Sequence, residues 1–288
     1  MIKFGPSGNS NEFFDCGNKY TEQSARWVKS KGLDAFEYSF GRGVNMSDEK
    51  AVALSGIFGN EGVEISVHAP YYINFGNPDN EMAKKSVGYV IASAKKAKLL
   101  GAKRVIFHPA SQGKEDRETV VKRTKERFFS LCDVVYKENL SDILFCPETM
   151  GKSAQIGTVE EIADFCKTDK IFLPTIDFGH VNARTCGSLK TTKDYEIILD
   201  LLIAELGYER VKNFHTHFSK IEYTSKGEVR HLTFDDEKYG PDFYPLAVAL
   251  VKKNMFPFVI CESDGTQDRD AVIMKEMYLN ALSERKSV

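Results

Sequence analysis

The sequence predicts one (β/α)8 TIM barrel occupying residues 1–288, and three observations carry that prediction. Eight short apolar, β-rich runs alternate with helical patterns from one end of the chain to the other, as βα units around a parallel sheet do. The rival architecture, a doubly wound open sheet, calls for a phosphate loop or GxGxxG after the first strand, and FGPSGNSNE is too weak a match. No glycine-rich or low-complexity linker interrupts the pattern, so no domain boundary is visible.

The strands are expected in order at residues 2–6, 34–40, 64–70, 104–110, 143–149, 171–177, 213–219 and 256–263. Helical patterns fall between them at 21–32, 81–101, 119–140, 158–166, 194–207 and 245–254, and a last one closes the chain at 269–286. Several of these end in Gly or Asn, the residues a helix C-terminus prefers. In such a barrel the active site sits at the C-terminal ends of the strands.

Composition narrows the function. With 42% hydrophobic residues the chain can bury a large core, and its formal net charge of -2 leaves no generally basic surface. A nucleic-acid partner must therefore meet a local positive strip or be held through metal. The six cysteines are widely spaced with no CxxC pair, the opening MIKFGPSGNS does not read as a charged-then-apolar signal segment, and no apolar stretch reaches membrane length. The expectation is a cytoplasmic protein without disulfides.

All six histidines fall where a strand ends or just beyond: His68, His108, His180, His215, His217 and His231. The carboxylates Glu148, Asp177 and Glu262 each follow an apolar run in the same way. Neutral imidazole with carboxylate is the ligand set of borderline divalent metals, zinc above all. Strand ends of a barrel converge on one mouth, and three carboxylates gathered there repel unless cations neutralise them. Asp177 and His180 are three apart past a strand end, so they can serve one ion or two. His215 and His217 alternate along a strand and face one side, so at most one is a primary ligand, the other supporting it or touching substrate.

At these residues a resemblance emerges. VHAPYYINFGNP, FHPAS, PETMGK, TIDFGHVNAR, HTHFSK, RH and the Glu of CESDG resemble, in order and spacing, the endonuclease IV family of apurinic/apyrimidinic endonucleases, within the xylose-isomerase-like barrels. That resemblance covers about residues 60 to 265 and implies a trinuclear zinc site that cleaves DNA 5′ to an abasic position in base excision repair. It implies that His68 and His108 hold one zinc and that Glu148 bridges to a second, held also by Asp177, His215 and Glu262. His180 and His231 would hold the third. Glu148 and Glu262 are the expected catalytic carboxylates, and two or three Zn2+ ions are expected, with Mn2+ an option at one site. The partner implied is double-stranded DNA with abasic sites, bound by a monomer.

The chain departs from the family in two places. Where the family reads Asp-Arg-His this sequence has Val229, Arg230 and His231, so a carboxylate of the third site is missing, with Glu228 or His217 available in its place. The DNA-penetrating loop after the second strand is not recognisable in SFGRGVNMSDE, where Arg42 is the one obvious candidate.

Phosphodiester hydrolysis suits such a ligand set, since closely spaced cations activate water, neutralise the attacked phosphate and stabilise the leaving oxygen. A nucleotide must leave the helix to reach a barrel mouth, and a missing base makes that cheap. Tyr71, Tyr72 and Asn74, next to His68, are the candidate DNA-facing residues. The enzymatic rival is a sugar isomerase or epimerase using one divalent ion on Glu148, Asp177, His215 and Glu262. A third reading is a metal-binding or DNA-binding protein without turnover.

Overall fold

The computed structural model describes residues 1–286. Eight parallel strands build the barrel: β1 (Lys3–Pro6), β2 (Ala35–Ser39), β3 (Glu64–His68), β4 (Arg104–Phe107), β5 (Leu144–Pro147), β6 (Thr175–Asp177), β7 (His215–Phe218) and β8 (Phe258–Cys261). Each lies inside the run that its apolar pattern predicts. β2, β3, β4 and β5 form one arc, and β6, β7, β8 and β1 form the other. Parallel bridges join the arcs at both seams, Ser7 with Glu37 and Glu148 with Thr175, so the sheet closes. At the first seam a Cβ on Gly5 would lie 1.8 Å from the Ala35 carbonyl oxygen, an approach that only glycine permits.

Alternation along each strand sorts residues into an outer apolar layer and an inner, more polar one. Outward residues meet the surrounding helices. Phe36 packs on Phe58 with ring centres 5.2 Å apart, and Phe218 meets Phe243 at 5.0 Å. Phe128 packs among Phe75, Phe107, Phe165 and Phe172, edge-on or tilted, between the sheet and its helices. Each such aromatic pair contributes about 0.5–1.5 kcal/mol beyond the area it buries. Inside the barrel, Ala35, Phe258 and Ile260 form one small apolar plug, and Ile106, Cys146 and Leu173 form another. The remaining interior is occupied by polar side chains.

Helices follow the strands at Ser24–Ser30, Asp48–Glu61, Asn80–Leu99, Arg117–Lys137, Val159–Cys166, Thr192–Leu206, Phe243–Lys253 and Gln267–Lys286. The helix at Asp48–Glu61 is absent from the expectation: its apolar face is narrow, Ala51, Leu54 and Phe58, and Gly56 and Gly59 on its exposed side lower its helical propensity. Ser47 caps its start by accepting from the Lys50 amide. Two short antiparallel ribbons were also not foreseen: Ala110–Ser111 with Gln155–Ile156, and the hairpin Ile221–Thr224 with Gly227–His231. Both lie beyond the C-terminal ends of strands, on the face that carries the histidines. Among the described residues no helix is long and apolar enough to cross a membrane.

Candidate metal centre

Parallel register brings the first group together. Phe107 pairs with Pro147, so the next residues, His108 and Glu148, leave β4 and β5 at one level, beside His68 at the end of β3. Glu148 Oε2 lies 3.2 Å from His68 Nε2 and 3.3 Å from His108 Nε2. The Ala69 carbonyl accepts from His68 Nδ1 at 2.7 Å, which leaves Nε2 as the free donor atom.

The second group gathers Glu148, Asp177, His217 and Glu262. Asp177 is the register partner of His217 across β6 and β7. His217 Nδ1 lies 3.0 Å from Glu148 Oε1 and 3.5 Å from Glu262 Oε2. Here the sequence-based grouping needs correction, since it placed His215 with these carboxylates. Both histidines point into the barrel, but His215 pairs with Thr175 and Phe258, two residues below the mouth. At a rise of about 3.3 Å per residue that is about 6.6 Å too deep. His215 instead meets Glu37, a buried carboxylate in the middle of β2 that the sequence reading passed over. Its one signal was a charged residue inside the apolar run AFEYS.

The third group is His180, Glu228 and His231. Asp177 caps the short helix Phe178–Arg184 by accepting from the His180 amide at 2.8 Å, and so ties the second group to the third. The Thr149 carbonyl accepts from His180 Nδ1 at 2.9 Å, turning Nε2 toward Glu228 Oε2 at 3.4 Å. His231 Nδ1 is held by the Ser219 hydroxyl at 2.8 Å, with Nε2 4.0 Å from Glu228 Oε1.

How Glu228 and His231 come to share a side is a matter of strand geometry. Residues three apart on a regular strand face opposite ways. In this hairpin Tyr223 pairs with Glu228 and Glu222 with Arg230, so Val229 is a bulge with no partner. The bulge restores a common face for Glu228 and His231 and leaves Val229 exposed. Of the two replacements considered for the missing carboxylate, Glu228 is the one beside His180 and His231; His217 belongs to the second group. The hairpin docks on the loop after β5, with the Glu228 amide donating to the Gly151 carbonyl at 3.1 Å. A Cβ on Gly151 would come within 2.6 Å of Glu228 Oε2 and 2.9 Å of His180 Cδ2, and a Cβ on Gly227 within 2.2 Å of the Gly151 carbonyl. Arg184 steadies that loop by donating to the Lys152, Ser153 and Gln155 carbonyls.

The electrostatics fit a cation site. Burial alone would raise the Glu148 carboxyl, but the charge of His217 and hydrogen bonds from His108, His180 and His217 hold it well below its ordinary range. Burial would likewise strip a proton from His217, yet Glu262, Glu37 and Glu148 keep it protonated well above the ordinary imidazole value. Asp177, Glu148 and Glu228 outweigh burial at His180 in the same way. Those retained protons mark where the surrounding carboxylates demand positive charge. Asp177 Oδ2 is buried with no hydrogen bond and only the His180 Nδ1 ion pair at 3.2 Å, so it has coordination capacity to spare for an ion.

Of the expected substrate-facing residues, Tyr71 stands at the mouth, its ring 4.7 Å from His68 and 5.3 Å from His108. Its hydroxyl lies 3.2 Å from the Ser39 hydroxyl while about half of the residue stays exposed, and partial burial with the nearby Glu262 charge pushes the phenol up to about 12. Tyr72 is half-exposed and packs edge-on against Tyr89. Asn74 departs from the expectation: its side-chain oxygen accepts from the Gly76 and Ser111 amides and so holds the loop's own shape. Arg42 is exposed in the segment between β2 and the helix at Asp48–Glu61.

The chain is 32% identical to an uncharacterized protein of Methanocaldococcus jannaschii, over 87% of this chain and 89% of that one. It is 26% identical to the apurinic-apyrimidinic endonuclease of Caenorhabditis elegans over 74% of this chain, which spans about half, 54%, of that nuclease. Among solved structures, endonuclease IV from Thermus thermophilus superposes with a TM-score of 0.65 at 20% identity, covering 91% and 94% of the two chains. D-psicose 3-epimerase from Clostridium cellulolyticum superposes with a TM-score of 0.68 at 16% identity, covering 92% and 94%. At such identities these likenesses show the fold alone. A family model matches residues 25–279, and by that match the chain belongs to the xylose isomerase-like TIM barrel family.

Proposed function

We propose that the protein is a metal-dependent phosphodiester hydrolase of the endonuclease IV kind, which cleaves duplex DNA 5′ to an abasic site. One observation carries the reading: three contiguous histidine and carboxylate groups open on one mouth, two of them sharing Glu148. His68, His108 and Glu148 would hold one ion, Glu148, Asp177, His217 and Glu262 a second, and His180, Glu228 and His231 a third, with zinc matching the donors. Ions held there neutralise a phosphate and stabilise the oxygen that leaves it. Glu148 keeps its charge between two groups, and Glu262, whose carboxyl is raised chiefly by burial, lines the cavity it shares with Tyr71 and His231, where substrate would enter. Tyr71 walls the mouth next to His68 and His108, where an extruded sugar would rest.

The second reading is a sugar epimerase with one ion on Glu148, Asp177, His217 and Glu262. The likeness in fold to the epimerase supports it, as does the short segment after β2, where the nuclease family has a DNA-penetrating loop. It leaves His68, His108, His180, Glu228 and His231 without a task.

An abasic oligonucleotide duplex incubated with zinc-loaded protein tests the choice. The expected result is a nick at the abasic position leaving a 3′-hydroxyl, little action on intact duplex, and loss of the nick in His108→Ala. Absence of nicking together with interconversion of a ketose by the same preparation would replace the nuclease reading with the epimerase one.

A further inference from the structure

We infer that Glu37 is a positioning residue for His217, so that the barrel interior sets how tightly the mouth holds metal; the inference rests on the metal reading above. Glu37 is fully buried in the middle of β2, below the mouth, and among the described residues its ion-pair partners are His215 and His217 alone. Its Oε2 accepts from the Ser66 hydroxyl at 2.7 Å and lies 3.2 Å from His215 Nε2, while its Oε1, which has no other hydrogen-bond partner, forms an ion pair at 2.9 Å with His217 Nε2, a nitrogen that also lies 3.2 Å from His215 Nε2.

The contrast with the other histidines gives the arrangement its meaning. His68 and His231 anchor Nδ1 on the uncharged oxygens of Ala69 and Ser219 and present Nε2, while His180 sets Nδ1 on the Thr149 carbonyl, with Asp177 Oδ2 3.2 Å and Glu148 Oε1 3.4 Å from the same nitrogen, and also presents Nε2. His217 is reversed. Its Nε2 faces a carboxylate, and its Nδ1 faces Glu148 and Glu262. A carboxylate partner binds an imidazole N–H more strongly than a carbonyl does, fixes which nitrogen carries the proton, and makes the other a better metal donor. Glu37 therefore keeps the proton on Nε2 and aims the Nδ1 lone pair at the second group. His215 has a supporting part: stacked on Phe258 at 5.4 Å, it stands against the Glu37 oxygen that Ser66 also engages. This also accounts for a histidine so deep in the barrel, too far below Asp177 and Glu262 to join them.

The test uses full-length protein, intact and as Glu37→Gln and Glu37→Asp. Zinc affinity is read by competition with a chromophoric chelator, and the ring nitrogens of the zinc-loaded protein by 15N imidazole spectra, the His217 signals being those that His217→Gln removes. The intact protein should show His217 protonated at Nε2 and metal-bound at Nδ1. Glu37→Gln should keep every ion at saturating zinc, lose about 10–100-fold in affinity for one of them, and shift the His217 Nε2 signal. Glu37→Asp should recover part of the affinity, and it carries the same measurement if Glu37→Gln does not fold. Unchanged affinities in Glu37→Gln would overturn the inference. So would outright loss of one ion with the others unaffected, which would assign Glu37, His215 and His217 an ion of their own. Intact protein that binds no zinc would overturn the metal reading itself and this inference with it, a result visible before any substitution.

Discussion

The first and third groups at the mouth use the same residue types and reach their geometry by opposite routes. His68, His108 and Glu148 come from three neighbouring parallel strands whose hydrogen-bond ladder fixes their offsets, His68 opposite Ile106 and His108 level with Glu148 just past the Phe107–Pro147 pair. His180, Glu228 and His231 come from the start of a short helix and a hairpin outside the barrel, and their meeting depends on a bulge and on two glycines in contact. A ladder is held by many bonds of the core, whereas the hairpin is held by a few. The first site is thus as rigid as the barrel, and the third is as rigid as one docked loop.

The largest expected effect lies on the barrel side of this comparison. Glu148 touches His68, His108, His180 and His217, so its removal disturbs every group at once. Glu148→Gln should stay folded, lose at least one ion by elemental analysis, and nick an abasic duplex more than about 100-fold more slowly, beyond the range for an outer partner of a ligand. Full metal content with normal turnover would make Glu148 a structural residue and remove the bridge between the first two sites.

What the sequence discloses divides along the same line. The eight strands and the convergence of histidines were legible, because alternation and strand ends are local patterns and the barrel turns them into one mouth. The level of each residue was not. His215 and His217 have the same periodicity, and only the pairing of His217 with Asp177, where His215 pairs with Thr175, shows which of them is level with a mouth carboxylate. Glu37 was hidden for the converse reason, since a carboxylate inside an apolar run makes sense only once His215 and His217 are seen facing it. The hairpin was illegible because its role depends on contacts with the loop after β5, far away in sequence.

An intermediate effect is expected where that contact is tightest. Gly151→Ala places a methyl group 2.6 Å from Glu228 Oε2 and 2.9 Å from His180 Cδ2, so the carboxylate must swing away. The barrel ladder does not include Gly151, and the first two sites should be spared. The expected outcome is weaker binding of one ion, by about 10–100-fold, with the other ions held as before and thermal unfolding little changed. Equal weakening of all ions would show that the third group is not separable from the other two, and that the rigid-versus-docked distinction is mistaken.

The smallest effect is expected from deleting Val229, and its smallness is the point. Val229 is the unpaired bulge residue, and its neighbours already pair as a regular ladder would have them, Glu228 with Tyr223, Arg230 with Glu222 and His231 with Ile221. Without it the strand reads Glu, Arg, His, in which the carboxylate and the histidine are two apart and share a face by simple alternation. The deletion therefore exchanges one route to the same geometry for another. All ions should be retained, and nicking should change by less than about 10-fold, below the range for a lost metal-supporting contact. Val229→Asp should be equally quiet, because that side chain is exposed. If the deletion instead lost one ion while Val229→Asp kept it, the bulge itself would be what aims Glu228, and the hairpin would be tuned more finely than pairing alone requires.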